Sequence, residues 1–419
     1  MDKFIVHGGN KLFGKVKIQS AKNSALPLIA ASVIAEGKTV IENCSKIRDV
    51  LIMCEIIRSI GGKAEFVGDR LFLDTTDVNS WRLPSSLTGE IRASLFMVGA
   101  LICRFGYASI ERPGGCKIGE RPIDIHVDAL RSLGVKVDEG EEIIFSGKNV
   151  NSGLITLRFP SVGATENAMM TALKGKGVTT IKNCAKEPEI VDLQNYLNLL
   201  GAKVKGAGSS IITVEGFNKK PSGEISFEPS PDRIELGTYL FALGAVGGEL
   251  EIETKSFKNL DIVLKIFKDN ACKIHIINDK IYNISISGRM RSFGKITTGP
   301  YPEFPTDLQP QLVACACSAK GVTAVEEKVF EKRFGYAQEL KKFGANVDVY
   351  QNLCLVSQSV LHGANVVAGD LRGGASLLIC ALSAEGRSEI SNAVHVDRGY
   401  YKIEEKLSAL GAYVKRASY

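Results

Sequence analysis

One phrase of apolar and polar positions recurs along this 419-residue chain. An amphipathic run ends in an apolar residue and a glycine, and an alternating apolar–polar stretch follows. Amphipathic runs predict helices and alternation predicts strands. Glycine just past the last helical turn ends a helix, because it adopts the left-handed conformation without strain. The phrase occurs as 60-IGGKA-64, 133-LGVKV-137, 200-LGAKV-204, 343-FGANV-347 and 410-LGAYV-414, with a degenerate copy at 270-NACKI-274.

The spacing of these copies indicates a duplication. We take the glycine position of each copy as its marker, which is Ala271 in the degenerate copy. Markers three copies apart are separated by 210 residues in all three cases, from Gly61 to Ala271, from Gly134 to Gly344 and from Gly201 to Gly411. Six similar units in two sets of three are therefore predicted. Long apolar runs that end in glycine open several units, as in residues 23–37, 93–106, 166–177 and 374–386. Each unit reads helix, strand, helix, strands, and we expect two similar α/β domains with a cleft between them.

Composition narrows the class of protein. Apolar residues make up 45% of the chain and charged residues 23%, as in globular proteins. The start, MDKFIVHGG, predicts no secretion signal, and no apolar run is long enough to span a bilayer. Ten cysteines without a CxxC pair predict free thiols, no metal site and a cytoplasmic location. A net charge of +6 suits anionic small molecules, and no basic tail indicates nucleic acid.

Charged and polar residues precede the apolar helices at equivalent places in the repeats. Helix N-termini bind phosphate and carboxylate, and arginine adds bidentate recognition of the same groups. Any one such residue is more often a solvated charge, but its recurrence across repeats favours an anion site. The residues are Lys22, Asn23, Arg92, Asp232, Arg233, Asp307 and Arg372.

The stretch 112-RPGGCKIGERP-122 places Cys116 among three cations, Arg112, Lys117 and Arg121. A surface turn with an accidental thiol would explain it, and so would a mobile loop that carries a reactive sulfur to an anion. Neighbouring cations stabilise a thiolate, whose pKa is about 8.5 in a free cysteine.

Several motifs together resemble the UDP-N-acetylglucosamine enolpyruvyl transferase family, in order and over essentially the whole chain. They are QSAKNSALPL, RPGGCKIGERPIDIH, SVGAT, PDRIE, FPTDLQPQ, VFEKRF, DLRGGAS and HVDRGY. One departure is Phe96, where the family has tryptophan after the RAS motif. An aromatic ring is retained there, so we expect the packing to survive.

The resemblance implies an α/β fold of two inside-out barrels, each of three βαβαββ repeats, with the active site between them. The first domain would span residues 22–230 and carry the Cys116 loop. The second would combine residues 1–21 with 231–419, so that the chain crosses over twice.

The implied reaction moves the enolpyruvyl group of phosphoenolpyruvate to the 3′-hydroxyl of UDP-N-acetylglucosamine by addition and elimination, without a metal or organic cofactor. Phosphate is released, and the product is the first committed precursor of peptidoglycan. Cys116 would be the general acid and the residue that fosfomycin alkylates, on a loop expected to close over the nucleotide sugar. Asp307 would orient or deprotonate the hydroxyl, and Asp370 would assist proton transfer.

The resemblance also implies the substrate contacts. Lys22, Arg121 and Arg398 would hold the phosphate, and Arg372 and Arg333 would lie near the carboxylate. The uracil would be lined by Pro122, Ile123, Asp124 and Ile125. The diphosphate would face Ser161, Val162 and Gly163, and the sugar would face Val329. Asn23 would also bind the nucleotide sugar, and Glu331 would lie close to Asp370. Two further residues match family positions near the site, Arg92 and His126.

Three other functions compete with this interpretation. A shikimate-3-phosphate enolpyruvyl transferase would share the barrels and the donor, but Cys116 and the RPIDIH stretch argue against it. An RNA 3′-phosphate cyclase uses related repeats, yet no motif for a nucleotidylated histidine is found. A non-catalytic paralogue that binds the nucleotide sugar is disfavoured, because every expected catalytic residue is present. The sequence does not determine the oligomeric state.

Overall fold

The structure is a computed structural model that describes residues 2–111, 119, 123–217, 222–268, 270 and 272–418. The chain forms two compact units. Of the described residues, those of 20–111 and 123–230 form the middle unit. The terminal unit contains Gly119 and the described residues of 2–19 and 231–418, and therefore combines the first and last segments of the described chain.

The chain begins with two strands of the terminal unit and then builds the middle unit from three repeats. The opening strands are β1 (Lys3–His7) and β2 (Leu12–Lys17). The first repeat contains α1 (Lys22–Ser32), β3 (Glu36–Ile41), α2 (Arg48–Ser59), β4 (Lys63–Val67) and β5 (Arg70–Asp74). The second contains α3 (Ser85–Thr88), α4 (Phe96–Phe105), β6 (Tyr107–Glu111), α5 (Asp124–Ser132), β7 (Lys136–Glu139) and β8 (Glu142–Ser146). The third contains β9 (Leu154–Thr156), α6 (Val162–Ala172), β10 (Val178–Lys182), α7 (Pro188–Leu199), β11 (Lys203–Lys205) and β12 (Ile211–Glu215), and β13 (Ser222–Phe227) follows.

The terminal unit repeats the same order three more times. The fourth repeat contains α8 (Arg233–Val246), β14 (Gly248–Glu253), α9 (Asp261–Lys268), β15 (Cys272–Asn278) and β16 (Ile281–Ile286). The fifth contains β17 (Lys295–Thr297), α10 (Gln309–Ala316), β18 (Val322–Glu326), α11 (Ala337–Lys341), β19 (Asn346–Tyr350) and β20 (Leu353–Ser357). The sixth contains β21 (Asn365–Val367), α12 (Leu371–Ser383), β22 (Arg387–Ser391), α13 (Val394–Asp397), α14 (Ile403–Ala409) and β23 (Tyr413–Ala417).

Each repeat builds one sheet with the same strand order. A parallel pair stands at one edge, and the remaining strands are antiparallel. The orders are β13–β3–β5–β4, β9–β10–β12–β11, β2–β14–β16–β15, β17–β18–β20–β19 and β21–β22–β1–β23. The described part of the second repeat contains three strands, β6–β8–β7, and a parallel bridge from Arg82 to Ser109 occupies the edge position.

The N-terminal strands complete sheets that begin more than 200 residues later. Strand β1 lies between β22 and β23, and Ile5 is paired with Glu389 on one side and Lys415 on the other. Strand β2 runs parallel to β14. In the middle unit, β13 closes the first sheet by pairing with β3. Each unit is therefore closed by a strand from a distant part of the chain.

Three helices lie at the centre of each unit. In the middle unit α4 packs on both α1 and α6, and in the terminal unit α8, α10 and α12 pack on one another. These helices are buried over most of their circumference; in α12 every residue from Leu371 to Leu382 is buried. The strands bury alternate residues, as in β12 and β20, so each sheet covers the helices with one face. Helices inside and sheets outside are the predicted inside-out arrangement.

The helix ends follow the glycine pattern. Five of the six markers have positive φ angles, which are +99° at Gly61, +82° at Gly134, +92° at Gly201, +82° at Gly344 and +90° at Gly411. The sixth marker, Ala271, lies outside the described residues.

Within the described part of the chain, no helix is both long and apolar enough to cross a membrane.

Candidate active site

The predicted anion-directed residues lie at the N-terminal ends of the central helices. The middle unit places Lys22 and Asn23 in the first turn of α1, Arg92 in a 3-10 turn that leads into α4, and Ser161 at the N-cap of α6. The terminal unit uses the same positions, with Asp232 and Arg233 at α8, Asp307 in the 3-10 turn before α10, and Asp370 and Arg372 at α12. The three-fold repetition therefore collects these residues at equivalent helix ends within each unit.

Two buried arginines converge on Asp307 in the terminal unit. Arg333 Nη2 lies 2.8 Å from Asp307 Oδ1, and Arg372 Nη2 lies 3.0 Å from Oδ2. The arginine side chains are 2% and 4% exposed, whereas Asp307 is 28% exposed. Arg333 also donates to the Thr306 carbonyl through Nε and Nη2. We call these three residues the Asp307 cluster. Two cations held around one carboxylate leave a net positive charge that suits an anionic ligand.

Arg372 is charged although it is fully enclosed. Burial alone would lower its pKa, but the negative charge of Asp307, with Tyr400 and Asp232, outweighs burial and raises it. Its guanidinium lies over the Tyr400 ring, 5.4 Å from the ring centroid. The Tyr400 hydroxyl is in turn 2.7 Å from Thr238 Oγ1. The position of Arg372 on α12 is therefore set by the turn before α10 and, through Tyr400, by α8.

A buried carboxylate that sequence analysis missed organises the segment around Asp307. Glu327 is 4% exposed. Its Oε1 accepts from Thr298 Oγ1 at 2.9 Å and from the backbone amides of Val329 and Phe330 at 2.8 and 3.1 Å. Its Oε2 accepts from Thr306 Oγ1 at 3.0 Å. Glu327 thus joins the turn that precedes Arg333 to the residue that precedes Asp307.

The other predicted residues of the terminal unit lie on the same helix ends and turns. Asp370 caps α12, since its Oδ1 accepts from the amides of Arg372 and Gly373, each at 3.0 Å. Val329 and Arg398 are half-buried, and Glu331 is exposed. Gly119 lies against Glu331, because a Cβ built on Gly119 would come within 2.6 Å of a carboxylate oxygen.

In the middle unit, Lys22 forms an ion pair with Asp49. Lys22 Nζ lies 2.7 Å from Asp49 Oδ2, and the side chains are 11% and 3% exposed. Asp49 stands in the first turn of α2, whose N-terminal end favours a negative charge. The pair orients the Lys22 ammonium at the start of α1. The sequence pattern does not single out Asp49, which resembles an ordinary helix-start acid in KIRDV.

The start of α6 packs tightly against α4 and α5. Ser161 caps α6 by accepting from the Ala164 amide. A Cβ on Gly163 would lie 2.9 Å from His126 Cε1 and 3.3 Å from a Phe96 ring carbon, so this position has no room for a side chain. Ser161, Val162 and Gly163 are half-buried. The phenylalanine at the departure from the family pattern therefore packs against the predicted diphosphate segment.

Asn167, which was also missed, connects these elements from inside α6. The residue is 1% exposed and lies one turn below Gly163. It accepts from the Gly99 amide and donates to the Leu95 carbonyl, both at 2.9 Å. Its Nδ2 is also 2.9 Å from His126 Nδ1. A polar residue inside the apolar run ENAMM is the signal that could have identified it.

The remaining predicted residues of the middle unit begin α5. Ile123, Asp124 and Ile125 are half-buried, and Asp124 forms an ion pair with Arg158. Arg92 is half-buried as well. Cys116, Arg121 and Pro122 lie outside the described residues, so their predicted roles stay predictions.

The nine other cysteines are free, and eight of them are buried. Burial raises their pKa values, to about 12 for Cys54, Cys103, Cys317 and Cys354 and to about 11 for Cys184 and Cys272. Buried thiols of this kind are protonated and poor nucleophiles at neutral pH. The core interpretation of these cysteines is therefore confirmed.

Comparisons with known proteins identify the family of the chain. The family profile described as EPSP synthase (3-phosphoshikimate 1-carboxyvinyltransferase) matches residues 6–407. The enolpyruvyl transferase NikO of Streptomyces tendae has a similar structure, with a TM-score of 0.89 and 25% identity over 100% of this chain and 99% of that one. An EPSP synthase of Acinetobacter baumannii, at 17% identity and a TM-score of 0.75 over the full length of both chains, shares the fold. The chain belongs to this family of enolpyruvyl transferases.

Among curated relatives, UDP-N-acetylglucosamine 1-carboxyvinyltransferase 2 of Caldanaerobacter subterraneus subsp. tengcongensis is 42% identical over 99% of this chain and all of its own length. The UDP-N-acetylglucosamine 1-carboxyvinyltransferase of Kosmotoga olearia is 40% identical over 99% of both chains. The predicted family resemblance is thereby confirmed.

Proposed function

We propose that this protein transfers the enolpyruvyl group of phosphoenolpyruvate to the 3′-hydroxyl of UDP-N-acetylglucosamine and releases phosphate. The Asp307 cluster carries the proposal. Its two buried arginines supply positive charge for an anionic donor, and its partly exposed carboxylate supplies a proton acceptor. Relatives about 40% identical over full length bear the name of this activity. The product would serve peptidoglycan synthesis in the cytoplasm, where free thiols persist.

The proposed reaction has two stages. A proton adds to C3 of phosphoenolpyruvate, and the sugar hydroxyl oxygen bonds to C2 while its proton passes to Asp307. The tetrahedral phosphate ketal then loses its phosphate by cleavage of the C2–O bond, and C3 gives up a proton to form the enol ether. Arg333 and Arg372 face the donor carboxylate, and Asp370 assists the proton transfers. In this scheme Asp307 is the base that activates the hydroxyl.

The helix ends of the middle unit are assigned to the phosphates and the nucleotide sugar. Lys22, oriented by Asp49, would bind the donor phosphate with Arg121 and Arg398. The N-terminus of α6 at Ser161–Gly163 offers backbone amides to the diphosphate. Uracil would lie against residues 122–125. The remaining contacts are proposed for Asn23, Arg92, His126, Val329 and Glu331.

We propose Cys116 as the general acid and the site of fosfomycin alkylation. The raised pKa values of the described cysteines predict that this reaction is selective. One fosfomycin adduct per chain is expected by mass spectrometry in the wild type, and none in Cys116→Ala. An adduct on any other cysteine, or an unmodified Cys116, would contradict the assignment.

Phosphate release from phosphoenolpyruvate tests the function. Release is expected with UDP-N-acetylglucosamine and not with shikimate 3-phosphate. Asp307→Asn should slow it by about a hundredfold or more, in line with the loss of a general base. Asp348→Asn is the matched control, because Asp348 is an exposed carboxylate whose ion pair with Lys341, at 3.6 Å, lies at the surface. Release with shikimate 3-phosphate alone would favour the rival transferase, and no release with either acceptor would leave a binding protein.

A further inference from the structure

The hydrogen bonds of Asn167 determine which nitrogen of His126 carries a proton. An asparagine amide has one acceptor oxygen and two N–H donors. Gly99 N donates to Asn167 Oδ1, and the Leu95 carbonyl accepts from Asn167 Nδ2, each over 2.9 Å. These two backbone groups have opposite polarity, so exchanging the oxygen and nitrogen would break both bonds. The orientation of the Asn167 amide is therefore fixed by the backbone of the α4 start.

The second N–H of Asn167 Nδ2 is directed to His126 Nδ1, again at 2.9 Å. A nitrogen that accepts a hydrogen bond cannot itself carry a proton, so Nδ1 is the unprotonated nitrogen of the imidazole. A neutral imidazole then has its proton on Nε2. Nε2 lies beside the N-terminus of α6, 3.2 Å from the position of a Cβ on Gly163.

We propose that Asn167 is a positioning residue that keeps His126 neutral and protonated on Nε2, so that His126 presents a hydrogen-bond donor at the start of α6. The ring is 7% exposed and Asn167 is 1% exposed, so solvent does not compete for these bonds. The role of this donor in binding the diphosphate of the nucleotide sugar rests on the proposed function. The tautomer itself rests on the hydrogen bonds alone.

The tautomer is tested in the free, full-length protein with 15N-labelled histidine. The chain has five histidines, and the His126 signals are assigned by their loss in His126→Gln. A long-range 1H–15N spectrum at pH 7.5 should show Nδ1 with the shift of an unprotonated nitrogen and Nε2 with that of a protonated one. A proton on Nδ1, or on both nitrogens, would overturn the proposal.

Asn167→Asp tests the positioning role. A carboxylate can only accept, so in the neutral ring the proton should move to Nδ1 and the donor at Nε2 should be lost. Because a carboxylate also stabilises the doubly protonated ring, the variant and the wild type are compared at pH 9. The KM for UDP-N-acetylglucosamine should then rise by about tenfold, as for the loss of one buried hydrogen bond, while the KM for phosphoenolpyruvate changes by less than about twofold. Asn198→Asp applies the same substitution at an exposed site, since the Asn198 amide accepts from the Val204 amide and donates to the Val204 carbonyl, and it should leave both KM values unchanged.

The outcomes separate this proposal from the proposed function. A shift of the His126 proton in Asn167→Asp with the expected rise in KM supports both parts of the proposal. A shift without any change in KM would overturn the positioning role, although phosphate release by the wild type would still establish the function. An equal rise in the KM for both substrates in Asn167→Asp would show a general loss of stability and would also overturn it.

Discussion

Removal of the Glu327 carboxylate should affect stability and turnover together. Glu327→Ala deletes four hydrogen bonds of 2.8–3.1 Å and leaves two hydroxyls and two backbone amides without their acceptor. Bonds to a charged group contribute about 1.5–3 kcal/mol each, but water entering the space would replace part of them. We therefore expect a loss of about 3–5 kcal/mol in the free energy of unfolding of the terminal unit.

Glu327→Gln separates the shape of the side chain from its charge. The amide oxygen can still accept from Val329 and Phe330, and the Thr306 hydroxyl can rotate to accept from the new NH2 group. The expected loss is about 1 kcal/mol. Turnover should fall by about a hundredfold in the alanine variant, because Asp307 and Arg333 lose the residue that joins their segments, and by much less in the glutamine variant.

Urea unfolding followed by circular dichroism and the phosphate-release assay measure the two effects. Glu326→Gln is the control, since the neighbouring Glu326 pairs with Lys295 near the surface, where an ion pair contributes about 0–1 kcal/mol. A wild-type urea midpoint for Glu327→Ala, or wild-type turnover by this variant, would refute the assigned role of Glu327.

Three further predictions follow from other buried contacts. Burial, with repulsion from nearby glutamates, raises the pKa of Glu166, whose carboxylate oxygens have no hydrogen-bond partner among the described residues. Below the pKa that Glu166 has in the unfolded chain, the carboxyl is protonated in both states and does not destabilise the fold. As pH rises above that value, the folded protein loses stability because its buried carboxyl must remain protonated or become charged. Glu166→Gln removes this loss, so it should raise the thermal midpoint by an amount that increases from pH 5 to 9; a constant difference would contradict this. Arg104 donates to five backbone carbonyls, from Val33 to Val78, and Arg104→Met should cost about 2–3 kcal/mol in urea unfolding, which a wild-type midpoint would disprove. Gly163→Ala should weaken binding of UDP-N-acetylglucosamine in calorimetry, because its Cβ would meet His126 at 2.9 Å, whereas unchanged affinity would mean that the ring moves aside.

Local pattern was sufficient for the repeat architecture. The glycine phrase predicts six helix ends, and all five that lie within the described chain have the left-handed backbone that glycine favours. The apolar runs predict the buried central helices, and the charges that precede them lie at helix N-termini as expected. These features depend on neighbours a few residues apart, so the sequence carries them directly.

The polar residues that hold the candidate site could not be predicted from local pattern. Asp49, Asn167 and Glu327 have no distinguishing spacing, and each acquires its role from a partner on another element. Glu327 contacts Thr298 and Thr306, about 20–30 positions away, and Asn167 contacts His126 across 41 positions. A single sequence shows that these residues are polar, but it does not show which donor or acceptor each of them meets.

By itself, then, the sequence determined the number of repeats, the buried helices and the family to which the chain belongs. Tertiary structure alone decided how each unit closes, with β1 inserted between β22 and β23, and β13 paired with β3. The physical reason is that strands pair through backbone N–H and C=O groups, which are the same in every residue, so the pairing partner is selected by the packing of the whole unit.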